Sequence, residues 1–237
     1  MEIKILASGS SGNAYVVNDG KTILLLDAGI PFQKIQKGMD YKTSQISACL
    51  VTHRHGDHAK AVPKLLERGI PVYGPSDLSK EWDGIVKELW VSNKKDTKRG
   101  WYTVSESFEV MPFPVHHDVE CLGFLIASKA TGERLLYMTD TTHTEYTFEG
   151  VTHIMIECNH SQETVMRNAR NGVIPGELAE RIMRSHMSIE TVLGMLDAND
   201  KTKLKQIYLL HLSDDNSDAE DFKRRVQEAT GAEVYVA

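Results

Sequence analysis

The sequence predicts an α/β fold, and its pattern suggests two β-sheets packed together and covered by helices, although periodicity alone does not choose that arrangement over another α/β layering. Three observations lead there. Short β-branched and leucine-rich runs bounded by turn residues gather in two blocks, helical patterns lie between and after them, and 237 residues can bury one large core. No fixed-period repeat and no Pro- or Ser-rich linker interrupts residues 1–237, so a single domain is expected.

The first block reads as strands over residues 2–6, 14–17, 21–27 and 47–52, the first three joined by a Gly-rich turn and by Asn18-Asp19-Gly20, a hairpin signal. A helix is expected over residues 57–68, because Val62, Leu65 and Leu66 share a face, Asp57 can cap the start and Gly69 stops it. The second block holds strands over 101–104, 108–114, 123–127, 135–139 and 154–157. The last third turns helical over 177–184, 189–197 and 218–230, with a buried strand at 207–210 and an edge strand at 234–236. In the last helix Ser217 and Glu220 have capping-box spacing, and Phe222, Val226 and Ala229 form an inward stripe.

Composition excludes several classes. At 41% hydrophobic and 25% charged residues, with 17 Gly and 7 Pro, the chain is neither disordered nor collagenous. Its start lacks the basic and long apolar regions of a secretory signal, and Ile23-Leu24-Leu25-Leu26 is too short to span a bilayer, which predicts a cytoplasmic protein with no membrane partner. Cys49, Cys121 and Cys158 are widely spaced and show no CxxC, so reduced, buried thiols are expected. A net charge of −6 argues against a generally basic nucleic-acid coat but leaves room for local patches at 94–99, at Arg167 with Arg170, and at Lys201, Lys203 and Lys205.

The chemistry concentrates in His53-Arg54-His55-Gly56-Asp57-His58, directly after the apolar run Ala48-Cys49-Leu50-Val51-Thr52. Alternation along an extended chain turns His53 and His55 to one side, where both imidazoles can meet one ion. Past Gly56, Asp57 and His58 turn toward a neighbouring point, so the loop suits two ions. Imidazole and carboxylate donors without thiolates fit catalytic Zn²⁺ or Mn²⁺, with Fe also accommodated, better than a structural zinc. Further donors stand at strand ends: His116-His117-Asp118, Asp140 and His211. Each alone is as readily a turn or hydrogen-bonding residue; together with the first cluster they form a ligand set.

An HxHxDH motif followed by a strand-end His, a strand-end Asp and a late His resembles the metallo-β-lactamase superfamily, whose fold is a four-layer αββα sandwich. Asp27, in Leu24-Leu25-Leu26-Asp27-Ala28-Gly29, fits the structural aspartate of its first motif. Leu6-Ala7-Ser8-Gly9-Ser10-Ser11-Gly12-Asn13, the His117-Asp118 pair before Gly123-Phe124, Ile156-Glu157-Cys158-Asn159-His160 and Ser185-His186-Met187-Ser188 are similar to the YycJ (WalJ) branch, associated with 5′-to-3′ exonuclease activity on DNA. Ser185 departs from the Gly usual there.

The resemblance implies two divalent ions, with His53, His55 and His117 on one, Asp57, His58 and His211 on the other, and Asp140 bridging. The residues themselves leave the third ligand open between His116 and His117. Such a pair of ions retains a net positive charge, attracts a phosphodiester such as DNA and generates a bridging hydroxide that attacks phosphorus, with Asp57 part of the catalytic set. His186 is the candidate to donate a proton to the leaving group or hold a phosphate oxygen; against it stands a plain helix-end histidine. His160, Arg167 and Arg170 are candidate substrate contacts.

The competing expectations are a hydrolase of a small cyclic phosphodiester, thioester or lactone, a diiron redox protein and a binding protein without catalysis. His55 stands where diiron relatives carry Glu, and Asp140 where several β-lactamases carry Cys. Oligomeric state is not readable.

Overall fold

The computed structural model describes residues 1–91 and 100–237; the basic stretch 94–99 singled out above lies outside the described residues. The strands form two sheets and the class is α/β. The chain divides into two compact units: Met1–Pro114 with Val119–Arg134, and Val115–Asp118 with Leu135–Ala237.

The first unit opens with β1 (Glu2–Ala7), β2 (Ala14–Asn18) and β3 (Ile23–Leu26), followed by α1 (Phe32–Gly38), β4 (Ile46–Leu50), α2 (Gly56–Ala59), α3 (Val62–Glu67), β5 (Val72–Gly74), α4 (Ser76–Glu81) and β6 (Lys87–Glu88). These strands make one sheet in the order β1-β2-β3-β4-β5-β6, antiparallel as far as β3 and parallel beyond it. The β2–β3 hairpin closes as its sequence predicts. Asp19 Oδ1 accepts from the backbone N–H of Lys21 and Thr22, both at 2.9 Å, and Gly20 takes a φ of 87°. Leu24, Leu25 and Leu26 are fully buried, as befits a strand covered on both faces. The unit also holds an antiparallel ladder of β7 (Tyr102–Thr103), β8 (Phe108–Pro114) and β9 (Leu122–Ser128).

The second unit is built on the parallel ladder β10 (Arg134–Met138), β11 (His153–Glu157), β12 (Gln206–Leu210) and β13 (Glu233–Val236). Its helices are α5 (Gln162–Arg170), α6 (Gly176–Ser185), α7 (Ile189–Ala198) and α8 (Ala219–Thr230). All three cysteines are buried, and none forms a disulfide among the described residues.

Some expectations change. The helix expected over 57–68 is two helices, because Pro63 at the start of α3 has no N–H to continue the ladder, and the N–H of Ala61 donates to Ala28 O (2.8 Å). Ser217 is not the cap of α8: its hydroxyl donates to Ser213 O, and Asp218 caps instead, accepting from Asp221 N at 3.0 Å. Ala229 is exposed, leaving Phe222 and Val226 as the inward residues of α8. The short helices α1, α4 and α5 and the strand β5 carry too few apolar residues to read as periodic.

Candidate metal centre

In the first unit the motif loop leaves β4 through Val51 and Thr52 and enters α2. Its anchor is Asp27, one residue past β3, with a φ of 53° and no exposure. Asp27 Oδ1 accepts from the N–H of Thr52 (2.8 Å), and Thr52 Oγ1 donates to the same carboxylate at 3.1 Å. The other oxygen lies 2.8 Å from His58 Nδ1. A carboxylate on one ring nitrogen fixes tautomer and orientation and reserves Nε2 for a ligand, the support that metal-binding histidines use. Thr52 Oγ1 also lies 3.0 Å from His53 Nδ1.

The rings of His53 and His58 sit 4.1 Å apart and those of His53 and His55 4.8 Å apart. His53 and His58 are buried, while the Asp57 side chain is 31% exposed and stands 3.6 Å from His58 Nε2. Three imidazoles this close form a donor set suited to a cation.

Close backbone approach holds this loop. A Cβ on Gly29 would fall 1.5 Å from Asp57 O, and one on Gly12 would fall 2.5 Å from Gly29 O. Between these glycines the N–H of Asn13 donates to Asp57 O (2.8 Å) and the N–H of Ala28 to His58 O (2.7 Å). The Asn13 amide reaches His58 Nε2 at 3.0 Å, and its Oδ1 accepts from Tyr15 Oη at 2.9 Å. The Ser-Gly-Ser-Ser-Gly-Asn run is therefore a support of the histidine loop.

In the second unit the donors stand at the carboxyl ends of parallel strands, where α/β sheets present ligands. Asp140 follows β10, Glu157 ends β11, His211 follows β12 and His186 follows α6. One ligand atom from each of the four lies within 4.8 Å of those of the other three. Asp140 and His211 take φ values of 52° and 56°. Left-handed backbone in residues with a Cβ costs on the order of 1–3 kcal/mol, and such strain gathers at functional sites.

Glu157 is the residue that motif reading missed. It has no exposure, its Oε2 accepts from the N–H of Thr141 (3.0 Å), and its Oε1 lies 2.5 Å from His186 Nδ1 and 3.4 Å from His211 Nδ1. A glutamate ending the apolar run Ile154-Met155-Ile156 was the available signal, since a carboxylate buried there needs partners.

Burial disfavours the charged form of His186, but Glu157, through its charge and hydrogen bond, and then Asp140 outweigh burial and raise its pKa above the ordinary histidine value; Arg181 opposes them. Two buried carboxylates flanked by imidazoles again fit a divalent cation, and the donor chemistry of both units suits the metal pair expected from the sequence.

The remaining sequence candidates lie as follows. The His117 side chain is 9% exposed and its Nε2 is 3.0 Å from Asp118 Oδ1. His116 is exposed and stacks on His143 at 4.4 Å, so within this unit His117 is the more enclosed of the two. His160 is 1% exposed; its backbone is bridged to Ser188, and its pKa is lowered to about 4 by burial and by the neighbouring His186, with Glu190 opposing. Beside it the Asn159 side chain donates to His211 O at 2.8 Å, tying the Cys158-Asn159-His160 run to a candidate ligand. Arg167 and Arg170 lie exposed on α5 and line a surface depression with Met166 and Glu190.

A family model described as the Beta-lactamase superfamily domain matches residues 22–212. The chain is 30% identical over 234 residues to exodeoxyribonuclease YycJ of Bacillus anthracis, an alignment covering 92% of this chain and 84% of the relative. It is 27% identical over 228 residues to exodeoxyribonuclease WalJ of Streptococcus pneumoniae serotype 2, covering 90% and 82%. Among solved structures, the metallo-β-lactamase fold protein YhfI of Bacillus subtilis superposes with a TM-score of 0.70 at 15% identity over 99% of this chain and 95% of that one. Human short-form tRNase Z gives 0.67 at 18% over 100% and 96%. These two show the shared fold; the match over residues 22–212 shows that the chain belongs to the β-lactamase superfamily.

Proposed function

We propose that this protein is a dinuclear metal-dependent phosphodiesterase acting on DNA, as a 5′-to-3′ exonuclease of the cytoplasm. The observation that carries the reading is the group Asp140, Glu157 and His211, buried at strand ends, with the partly exposed His186 at the end of α6, whose ligand atoms lie within 4.8 Å of one another. It is supported by the similarity to relatives named exodeoxyribonuclease.

His53, His55 and His117 would hold one divalent ion and Asp57, His58 and His211 the other, with Asp140 available to both. Zn²⁺ and Mn²⁺ both suit these donors, and Fe is compatible. When bound, such ions supply Lewis acidity and an activated water.

The chain's own residues do the rest. Asp27 engages His58 Nδ1 at 2.8 Å and so leaves the lone pair on Nε2, where the Asn13 amide at 3.0 Å would have to give way to an ion. Glu157 holds His186 Nδ1 at 2.5 Å, leaving its Nε2 to deliver a proton to the departing oxygen. A His–carboxylate couple of this kind stays protonated further into the neutral range than a lone histidine, which suits an acid. His160, buried next to His186, supports that couple, and Arg167 and Arg170 are exposed cations available to the nucleic-acid backbone.

The test is purified protein with Mn²⁺ or Zn²⁺ on end-labelled duplex DNA at several pH values. Release of a 5′-terminal label as mononucleotide ahead of internal product is expected; intact DNA with both metals at every pH sinks the proposal. A second reading, a small phosphodiester as substrate, draws on a cleft of about 510 Å³ beside His117, a size that suits a single nucleotide. Rapid turnover of small diesters with inert DNA is the outcome that selects it. Among the described residues no helix is long and apolar enough to cross a membrane.

A further inference from the structure

We infer that Arg181 is a substrate-positioning residue that grips a second, non-scissile phosphate, one nucleotide along from the bond being cut. The inference rests on the phosphodiesterase reading and names a contact which that reading lacks. Its starting point is the two-faced helix α6. Ala179, Ile182 and Met183 pack with Val165 and Ile174, which fixes the helix against its own unit. The face three and four residues round carries Glu177, Glu180, Arg181 and Arg184, and these line a cleft of about 510 Å³ with His117 and Asp118.

The two arginines differ. Arg184 stands 4.0 Å from Glu180, whereas Arg181 forms no ion pair among the described residues. An exposed guanidinium with its fork uncommitted, in a cleft that also contains the candidate ligand His117, is shaped for a phosphate. The helix end is pinned: Ser185 Oγ donates to Arg181 O (2.8 Å), and the N–H of His186 donates to Ile182 O (3.1 Å). Arg181 and His186 therefore keep a set spacing, and the guanidinium is near enough to disfavour the protonated form of His186. Asp118, Glu177 and Glu180 supply negative charge along the same wall and repel a run of phosphates. What the cleft admits is a single phosphate beside Arg181, which suits a strand end better than a continuous backbone.

The test compares two substrates in the full-length Mn²⁺-loaded protein: the p-nitrophenyl ester of thymidine 5′-phosphate, and the same ester bearing a 3′-phosphate. The readout is the ratio of their kcat/KM values in wild type, Arg181→Gln and Arg181→Lys. A charge-assisted contact makes the second phosphate worth about 10- to 100-fold in wild type. The ratio should fall to about 1 in Arg181→Gln, carried by KM, and recover in part in Arg181→Lys. Calorimetric Kd values for thymidine 3′,5′-bisphosphate and thymidine 5′-phosphate should show the same pattern without turnover. An unchanged ratio in Arg181→Gln, or no preference in wild type, overturns the inference. If wild type cleaves neither ester, the phosphodiesterase reading falls, and the calorimetric ratio still decides the role of Arg181. Thermal melting establishes that each variant is folded.

Discussion

Replacing Glu157 by Gln tests how the site delivers its proton. Both oxygens of Glu157 are occupied: one accepts from Thr141 N at 3.0 Å and the other lies 2.5 Å from His186 Nδ1. Glutamine has the same shape but one acceptor and one NH₂ donor. If its oxygen keeps Thr141, the amide faces the His186 Nδ1–H as donor against donor; if it turns to His186, the backbone N–H is left buried without a partner. Either way a charge-assisted hydrogen bond is lost, worth about 1.5–3 kcal/mol. At about 1.4 kcal/mol per tenfold, kcat should fall about 10- to 150-fold on bis(p-nitrophenyl) phosphate.

The same change removes the larger of the influences that raise the His186 pKa, the charge and hydrogen bond of Glu157, while burial and Arg181, which lower it, remain and only Asp140 still raises it. The acid then loses its proton at lower pH, so the alkaline limb of the kcat profile should move down. Metal content, measured by mass spectrometry on the same samples, separates positioning from ligation. A kcat within twofold of wild type with an unmoved alkaline limb refutes the role given to Glu157. Loss of an ion reassigns it as a ligand.

Three further outcomes are expected. Asp140→Asn should abolish phosphodiester hydrolysis with the fold intact, because the shared anion disappears while Asn tolerates the φ of 52° at that position; near-normal turnover overturns the ligand assignment. Gly29→Ala should cost about 3 kcal/mol or more, lowering Tm by about 6–12 °C, because the new Cβ falls 1.5 Å from Asp57 O; a melting curve equal to wild type contradicts the packing described. His160 stays neutral in the fold down to about pH 4, whereas the unfolded chain protonates near 6.5, so the unfolded state binds more protons between those values. This group on its own should cost metal-free protein at most about 3 kcal/mol as pH falls through that window and nothing above it, so the loss followed by urea unfolding against pH should be larger in wild type than in His160→Gln.

The strands were largely legible because their signals are local. Residues 108–114 run as β8 to the residue, and the predicted 154–157 and 207–210 each lack one residue of β11 and β12. Apolar runs closed by turn residues need no tertiary knowledge to read. The helix expected over 57–68 failed for a non-local reason: Ala28, some thirty residues upstream, takes the N–H of Ala61 and breaks the ladder. Helix α5 escaped because only Val165 among its nine residues is buried, so it has almost no stripe to detect.

The site divides along the same line. His53, His55, Asp57 and His58 announce themselves by spacing, because one loop carries them all. What holds them is dispersed, and a fixed-spacing pattern cannot show it. Asp27 acts through His58 Nδ1 and Thr52, Asn13 through His58 Nε2, and Asn159 through the carbonyl of His211. Each is an ordinary polar residue until the chain folds. The backbone offers a further sign invisible in composition: Asp27, Asp140 and His211 all leave their strands with positive φ, at 53°, 52° and 56°. Glycine is the unstrained choice for that turn, yet all three positions carry side chains able to bind a metal or hold a histidine. Strain accepted three times at strand ends, each time with Asp or His in place of glycine, fits the proposed site, and on that reading Gly at Asp140 or His211 should relieve the backbone while weakening metal binding, measured as metal content of the purified variant.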